Sequence, residues 1–196
     1  MNKKALKILN SAIQLLLRDG VKMATMDDIA GYANASKGTI YKYFKDKDSL
    51  YFEIGKHIFT NYTEQLESVV SSGDALIQKL YAFMDRISDF INSGKYDLCE
   101  ALIQYNYALD TVHNRYMQTY RDTMLSLIDE GTEKGLLKCD LSRELIFHYI
   151  DMGIVYYRQN PSYREKMLRE NDFQKRFMLF FISNIFVDGA KIVSAR

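Results

Sequence analysis

The chain has 196 residues, a net charge of +1 and 47% hydrophobic residues, so its length suits one large domain or two small ones. A single proline and the lack of long Gly, Ser or Pro runs exclude a low-complexity tract or disordered linker. No long uncharged apolar run is present and the N-terminal segment is amphipathic, so we expect neither a membrane span nor a signal peptide.

The charge is distributed unevenly along the chain. Residues 1–60 carry ten Lys or Arg and six Asp or Glu, a net charge of +4, whereas the remainder has a net charge of −3. A basic first third joined to an acidic remainder is typical of a nucleic-acid-binding end attached to a separate body.

The first predicted element is a helix over residues 3–19, where apolar residues recur at helical spacing. Gly20 follows it and is expected to end the helix in a left-handed conformation. The same periodicity recurs along the rest of the chain, so the predicted fold class is all-α. We expect the first helix to pack on Ile29, Ile40 and Phe44.

Residues 25–50 predict a helix-turn-helix. Thr25 is an N-cap candidate, and Asp28 three residues later completes a shortened capping box. Ser36 is a second N-cap candidate, so the first short helix must end before it and a second begins at Lys37. Two short helices joined by a tight turn, the second one presented outward, are what a helix-turn-helix requires.

The exposed side of the second short helix carries residue types that suit a DNA groove. Lysines bind phosphates, hydroxyls bind phosphates or base edges, and the methyl of Thr39 suits apolar contact. Gly38 costs about 1 kcal/mol relative to alanine in a helix interior, which is explained if a DNA strand must come close. An ordinary pair of short helices with a solvated basic face is the alternative interpretation.

We expect four residues of this helix at the groove, namely Lys37, Thr39, Tyr41 and Lys42, and three backbone contacts, from Thr25, Tyr43 and Lys47. The full predicted DNA-binding set is Thr25, Ser36, Lys37, Gly38, Thr39, Tyr41, Lys42, Tyr43 and Lys47.

This stretch resembles the N-terminal DNA-binding domain of the TetR family of bacterial transcription regulators. The family pattern is an apolar helix ending in Gly, then Thr-x-x-x-Ile-Ala, a small residue and Ser, then Gly-x-x-Tyr-x-x-Phe and Lys-x-x-Leu. Tyr43 departs from it, because the family often has His at that position. The matching residues are Gly20, Thr25, Asp28, Ile29, Ala30, Ala33, Ser36, Gly38, Thr39, Ile40, Tyr41, Phe44, Lys47 and Leu50.

With this resemblance, the expected organisation is a helix-turn-helix DNA-binding domain over residues 1–46 and a helical ligand-binding and dimerisation domain over residues 47–196. The fold is expected to have about nine helices. A fourth helix from Lys47 would join both domains and act as a lever between them. The later helices are predicted over residues 47–70, 74–93, 96–109, 112–134, 142–159 and 162–187.

The last two predicted helices are candidates for a homodimer interface. The terminal helix has apolar residues on more than one face, and such a helix in a soluble protein needs a partner surface. We expect residues 142–159 and 162–187 to form a two-fold interface, which is also how proteins resembling the TetR family pair. The alternative is that these helices only close the core of the monomer.

The middle helices supply a candidate ligand site, since cavities lined by aromatic and Met side chains are typical of ligand pockets. Plain core packing is the alternative for each of these residues, and the existence of a pocket rests mostly on the family resemblance. The predicted ligand-binding set is Phe83, Ile87, Leu102, Tyr105, Tyr120, Met124, Tyr149 and Met152.

No catalytic residue, metal site or cofactor is expected. The sequence has no nucleophile elbow, HExxH motif or phosphate loop, and the three histidines share no ligand spacing with one another or with the cysteines. Cys99 and Cys139 are interpreted as reduced thiols of a cytosolic protein, with a redox switch between them as the alternative.

The residues and the resemblance together predict a cytoplasmic, ligand-responsive transcriptional regulator, a repressor in most of the family. It would bind a palindromic double-stranded DNA operator as a dimer and be released by a small hydrophobic or aromatic effector. The alternative is a TetR-like protein-interaction adaptor that acts through a protein partner.

Overall fold

The computed structural model describes residues 2–169, 180 and 183–188, and the regular elements of this part are nine α-helices. The predicted all-α class is therefore confirmed. In chain order the helices are α1 Lys3–Asp19, α2 Met26–Tyr32, α3 Lys37–Tyr43, α4 Lys47–Ser71, α5 Leu76–Asn92, α6 Lys95–Ile103, α7 Leu109–Glu133, α8 Arg143–Gln159 and α9 Pro161–Arg169.

The first helix has the predicted bounds, and its ends are set by local hydrogen bonds. The side chain of Asn2 accepts a hydrogen bond from the backbone N–H of Lys4 at 2.8 Å and so caps the start of α1. The backbone N–H of Gly20 donates to the carbonyl of Leu16 at 2.9 Å. Gly20 has φ 84° and ψ 158°, so its φ is positive as expected, but its extended ψ corrects the prediction of a left-handed helical cap.

The sixth helix is shorter than predicted. We expected it to continue to residue 109, whereas α6 ends at Ile103 and a turn precedes α7. The side chain of Asn106 explains the break, because its Oδ1 accepts a hydrogen bond from the backbone N–H of Ala108 at 3.1 Å. Its Nδ2 donates to the carbonyl of Asp48 at 3.3 Å. Such side-chain bonds offer the backbone an alternative to the helix.

The described chain divides into two compact units. Unit 1 takes the chain up to Gln65 together with Asp89–Gln118, and unit 2 takes Leu66–Ser88 together with the described residues from Thr119 onward. Helices α4, α5 and α7 each contribute residues to both units.

The core of unit 1 is built on α1, which packs on α2 and also contacts α6. Ile29, Ile40 and Phe44, the residues predicted to lie under α1, are all buried. Gly55 of α4 allows a close approach of Leu109, because an added Cβ would lie 2.7 Å from the Leu109 side chain. The other fully buried large side chains of this unit include Leu9, Leu16, Leu50, Tyr51, Ile54 and Phe59.

Unit 2 contains an ion pair between the buried Lys79 and the half-buried Glu130. The Lys79 ammonium lies 3.0 Å from the Glu130 carboxylate and also donates to the carbonyl of Val70 at 3.2 Å. This pairing is what makes the burial of a lysine tolerable. Within the same unit, Leu137 and Phe186 form an isolated antiparallel β-bridge.

The predicted C-terminal helix over residues 162–187 falls only in part on the described chain. Its first portion is α9, Pro161–Arg169. Residues 170–179 and 181–182, which supply much of the apolar surface on which the dimer prediction rested, lie outside the described residues.

Candidate DNA-binding face

The start of α2 is held by the predicted capping box. The hydroxyl oxygen of Thr25 accepts a hydrogen bond from the backbone N–H of Asp28 at 3.1 Å. In return the Asp28 carboxylate accepts from the backbone N–H of Thr25 at 2.9 Å and from its hydroxyl at 2.6 Å. The side-chain and then the backbone hydrogen bond from Thr25 lower the pKa of Asp28. Thr25 is thus committed to the helix start, and it is exposed to solvent.

The turn between α2 and α3 depends on a residue that the sequence analysis did not single out. Asn34 has φ 49°, a left-handed conformation that Asn tolerates better than most residues. Ala35 then donates its N–H to the carbonyl of Ala30 at 3.0 Å, which closes the turn. The run Asn34–Ala35–Ser36 carried the signal, because Asn is enriched at left-handed turn positions.

Ser36 caps α3 as predicted. Its hydroxyl oxygen accepts a hydrogen bond from the backbone N–H of Thr39 at 3.2 Å, and its hydroxyl and that of Thr39 lie 2.8 Å apart in a further hydrogen bond. The Thr39 hydroxyl therefore already has a partner in the protein. Its methyl remains the group that suits apolar contact with a thymine methyl.

Helix α3 is buried on one side and open on the other. Ile40 is 0% and the following Phe44 is 3% exposed, so these two side chains anchor the helix to the core of unit 1. The opposite side, which we call the outer face of α3, consists of Lys37, Gly38, Tyr41 and Lys42, all exposed. Thr39 and Tyr43 are half-buried beside it.

Gly38 lies in open space. An added Cβ at this position would meet no atom of the described protein within 4 Å. Glycine destabilises a helix by about 0.5–1 kcal/mol relative to alanine, and nothing in the described part of the chain offsets that loss. The structure thus leaves room for an external group to approach the backbone of α3.

Lys37 has a protein partner. Its ammonium lies 2.8 Å from the Asp27 carboxylate of α2, and this hydrogen bond raises the pKa of Lys37. Both side chains are exposed, so water and salt weaken the pair. To reach a phosphate, Lys37 has to leave Asp27.

Lys47 and Tyr51 connect the first turn of α4 to the segment before α2. The Lys47 ammonium lies 5.2 Å from the centre of the Tyr51 ring. The buried Tyr51 hydroxyl donates to the carbonyl of Val21 at 2.8 Å, and burial raises the pKa of Tyr51 to about 12. The role of Tyr51 in positioning the segment before α2 was not predicted, because its hydrogen-bond partner is a backbone carbonyl 30 residues away.

A shallow basic groove runs along α1 in the same unit. It has a volume of about 450 Å³, and the Arg18 guanidinium lies 5.3 Å from the ring of Tyr32 in this region. Tyr32, which is 44% exposed, was not predicted from the sequence to belong to a site. The groove is lined by Lys3, Leu6, Lys7, Asn10, Ser11, Gln14 and Tyr32.

The predicted ligand-binding residues are divided between the two units. Leu102 and Tyr105 belong to unit 1, and the other six belong to unit 2. Tyr105 is 44% and Met152 61% exposed, whereas Tyr149 is half-buried. The members buried in unit 2 are Phe83, Ile87, Tyr120 and Met124.

Within unit 2, two of these buried residues form an aromatic pair, and a polar group lies at one end of the pair. The rings of Phe83 and Tyr120 lie 5.7 Å apart, and the Tyr120 hydroxyl donates to the Asp151 carboxylate at 2.7 Å. An apolar surface with a few placed polar groups is the usual composition of a ligand site. The assignment of this set to an effector stays a prediction.

In the described part of the chain, no group of three or more His, Cys, Asp or Glu side chains is arranged to hold a metal ion. Cys99 is buried and Cys139 exposed, and both are free thiols. None of the described helices combines the length and apolarity that crossing a membrane requires.

Comparison with known families identifies the region around the outer face of α3. Residues 8–54 match the family described as bacterial regulatory proteins, tetR family. The match begins in α1, includes α2 and α3, and ends in α4.

Similar proteins extend the likeness over most of the chain. The fatty acid metabolism regulator protein of Bacillus subtilis is 24% identical over 167 residues, which cover 81% of this chain and 86% of that protein. The transcriptional repressor KstR2 of Rhodococcus jostii is 22% identical and covers 80% of both chains.

Solved structures show the same fold. The ketosteroid transcriptional regulator KstR2 of Mycobacterium tuberculosis superposes with a TM-score of 0.63 at 18% identity, covering 95% of this chain and 96% of its own. The fatty acid degradation regulator FadR of Bacillus halodurans superposes with a TM-score of 0.60 at 20% identity, covering 84% and 87%. At such identities these superpositions support the fold alone.

Proposed function

We propose that this chain, whose residues 8–54 match the TetR family of bacterial regulatory proteins, is a TetR-family, ligand-responsive transcriptional repressor. It binds a palindromic double-stranded operator as a homodimer and is released by a small hydrophobic or aromatic effector. The named relatives are a fatty acid metabolism regulator protein and a transcriptional repressor, which supports the regulatory role. The bacterial chromosome is the target, so the protein acts in the cytoplasm.

The observation that carries the DNA-binding proposal is the outer face of α3. Its glycine costs helix stability and touches nothing in the described protein, while Tyr41, 43% exposed, and Lys42 flank it in solvent. The major groove of B-DNA is wide enough for an α-helix. In this proposal Gly38 lets a DNA strand approach, Lys42 neutralises phosphate, and Tyr41 contacts a base edge or sugar.

The remaining predicted contacts lie around this face. Lys37 exchanges Asp27 for a phosphate when DNA is present, and Lys47, Tyr43 and Thr25 contact the backbone from the edges. Thr39 presents its methyl to a base, since its hydroxyl is bonded to Ser36. Residues 1–46 then form the DNA-binding head, and residues 47–196 the ligand-binding and dimerisation body.

The dimer proposal is supported by a stripe of apolar side chains on α8. Leu145, Met152 and Tyr156 are 55%, 61% and 54% exposed, and Tyr149 between them is half-buried. Their spacing of four, three and four residues places them along one side of the helix. A self-complementary two-fold contact through this stripe, together with the helix predicted over residues 162–187, would cover it.

A two-fold dimer presents two heads to DNA. Dimeric helix-turn-helix proteins bind half-sites about 34 Å apart, one turn of the duplex. A palindromic operator with that spacing is therefore the expected target. An effector that binds the body more tightly in a conformation with a different head spacing shifts the population away from DNA.

The effector is proposed to be apolar with a polar end. The names of the relatives refer to fatty acids and ketosteroids, both largely hydrophobic molecules. In unit 2, the buried Phe83, Ile87, Tyr120 and Met124 supply apolar surface, and the Tyr120–Asp151 pair supplies a polar group. These features support a small hydrophobic or aromatic effector.

A DNA titration tests the proposal. Purified protein is titrated against the DNA upstream of its own gene, and the variant carrying Tyr41→Ala and Lys42→Ala is compared with the parent protein. Loss of one phosphate contact and one specific contact is expected to weaken binding about 10- to 100-fold. The slope of the logarithm of the binding constant against the logarithm of the salt concentration should also become less steep, by about the amount expected for one phosphate contact.

A matched double variant provides the control. Tyr107→Ala with Lys56→Ala removes the same two residue types from exposed positions of the same unit, and it should bind DNA like the parent. Unchanged affinity in the α3 variant would overturn the assignment. Absence of specific DNA binding in the parent would instead favour the protein-interaction adaptor.

A further inference from the structure

Unit 1 contains a small cavity between α1, α4 and α6, separate from the outer face of α3. Its volume is about 160 Å³, roughly five times the 30 Å³ that one water molecule occupies in the liquid. We call it the α1–α4–α6 cavity. It is lined by Asn10, Ile13 and Gln14 of α1, by His57, Ile58, Asn61 and Tyr62 of α4, and by Lys95 of α6.

The lining of this cavity is mostly polar, and several of its groups are hydrogen-bond donors. Asn10, Gln14 and Asn61 supply side-chain amides, His57 an imidazole and Lys95 an ammonium. The Tyr62 hydroxyl is already engaged, since it donates to the Asp89 carboxylate at 2.9 Å. Residues that carry donor groups therefore line the cavity from three different helices, and the Asn61 Oδ1 already accepts a hydrogen bond from Gln65 at 3.3 Å.

The residues that line the cavity include a lysine but no carboxylate, and the nearby Asp89 carboxylate is bonded to the Tyr62 hydroxyl. In the part of the chain that the structure describes, Lys95 makes no salt bridge, and its ammonium lies 5.7 Å from the centre of the Tyr62 ring. None of the eight lining residues is acidic. Partly enclosed cations are normally paired with a carboxylate or another anion.

The pKa of the neighbouring His57 is lowered by this environment. Burial, and then the charge of Lys95, lower the pKa of His57, and Glu64 of the same helix acts weakly in the opposite direction. The residues that α1 contributes to the lining, Asn10, Ile13 and Gln14, carry no titratable group. A bound anion would favour the charged imidazole and raise this pKa.

We propose that the α1–α4–α6 cavity is a binding site for a small oxyanion, either a short-chain carboxylate or a phosphate. Lys95 supplies the charge, the amides of Asn10, Gln14 and Asn61 donate hydrogen bonds, and His57 adds a further donor. Charge-assisted hydrogen bonds to oxyanions are the strongest that such side chains make. The bound anion would join α1 to α4 and α6.

The size of the cavity separates this site from the proposed effector site. Pockets for drug-sized ligands occupy about 300–1,000 Å³, and a cavity of about 160 Å³ holds only a few non-hydrogen atoms. A fatty acid or a steroid does not fit. Anion binding in this cavity does not depend on the proposed DNA-binding function, so it can be tested without DNA.

Histidine NMR on the full-length protein gives a direct readout, because only one of its three histidines lines the cavity. Inorganic phosphate, sulfate, acetate and succinate are titrated separately at constant ionic strength, with chloride as the reference salt. Saturable shifts of the His57 resonances are expected, with His113 and His148 unaffected. Whether phosphate or a carboxylate saturates at the lower concentration identifies the source of the oxyanion.

Three variants at lysine positions sharpen the test. Lys95→Gln should weaken anion binding about tenfold or more, since it removes the charge of the site. Lys95→Arg retains the charge and should restore at least part of the affinity. Lys56→Gln removes an exposed charge of α4 that is absent from the cavity lining and should leave binding unchanged.

The pH dependence is a second readout. Sulfate stays fully ionised across about pH 5–8, where histidine titrates, so its binding should tighten as the pH falls and the pKa of His57 should rise in its presence. Thermal unfolding of each variant verifies that it is folded. Equal shifts at all three histidines, the same effect with chloride, or unchanged binding in Lys95→Gln would overturn the proposal.

Discussion

Gly38 on α3 and Gly131 on α7 are both helical glycines, but their surroundings are opposite. A Cβ added to Gly131 would lie 2.8 Å from the Leu137 side chain and 2.9 Å from that of Leu76. Both leucines are buried, so the glycine serves the internal packing of unit 2. A Cβ added to Gly38 would meet nothing within 4 Å in the described protein.

The two positions show that a glycine in a helix can have an internal or an external cause. At Gly131 the helix loses intrinsic stability and gains a close contact with neighbouring side chains of its own chain. At Gly38 the same loss has no internal compensation among the described residues. Substituting each glycine by alanine therefore separates an effect on folding stability from an effect on DNA binding.

The largest effect is expected for Gly131→Ala. The added methyl overpacks the contact with Leu137 and Leu76, which costs about 1–3 kcal/mol, while the alanine gains at most about 1 kcal/mol in helix propensity. The midpoint of urea denaturation should fall. Gly55→Ala, which meets Leu109 at 2.7 Å, should behave in the same way. A stability at or above that of the parent would show that the leucines move aside freely.

Gly38→Ala is expected to have the reverse profile. Stability should rise by up to about 1 kcal/mol, and affinity for the operator should fall about tenfold, because the methyl occupies space that the DNA strand needs. Gly31→Ala is the matched control, since Gly31 lies in α2 with nothing within 4 Å of an added Cβ. Equal DNA affinity in both variants would remove the external cause proposed for Gly38.

Thr25→Ala should destabilise the protein by about 1 kcal/mol at neutral pH, the usual result of losing an N-cap side chain. The pKa of Asp28 is lowered in the folded protein by its bonds to Thr25. The ionised Asp28 carboxylate therefore contributes fully to folding stability above its usual pKa of 3.8. That contribution is lost as the pH falls through the lower pKa of the folded state. The difference between parent and variant should therefore narrow in acid, as followed by denaturation at several pH values. A constant difference would argue against the Asp28 bond.

The smallest effect is expected for Asp27→Asn. The change releases Lys37 from its ion pair and removes a negative charge beside the outer face of α3. DNA affinity should increase about two- to fivefold, the range expected for an exposed ion pair, and the gain should shrink at high salt. The control is Asp48→Asn, an exposed acid near the start of α4 with no salt bridge among the described residues. A decrease in affinity would mean that Lys37 does not contact DNA.

Local patterns predicted the helical elements well. The caps at Thr25 and Ser36 depend on hydrogen bonds over three residues, so the sequence contains all of the information that they need. The end of α6 was predicted wrongly because it depends on Asn106, whose side chain bonds to Asp48 far along the chain. The role of Tyr51 was missed for the same reason.

The order of the residues was enough to predict that this protein is all-helical, that a helix-turn-helix lies near its start and that Gly38 lies in the first turn of the second of those helices. These features follow from spacing and capping within one or two turns. Three other features became visible only in the folded chain: Lys37 is paired with Asp27, Gly131 accommodates two leucines, and His57 and Lys95 share a cavity. Each of these depends on groups that are distant in sequence and meet only when the helices pack.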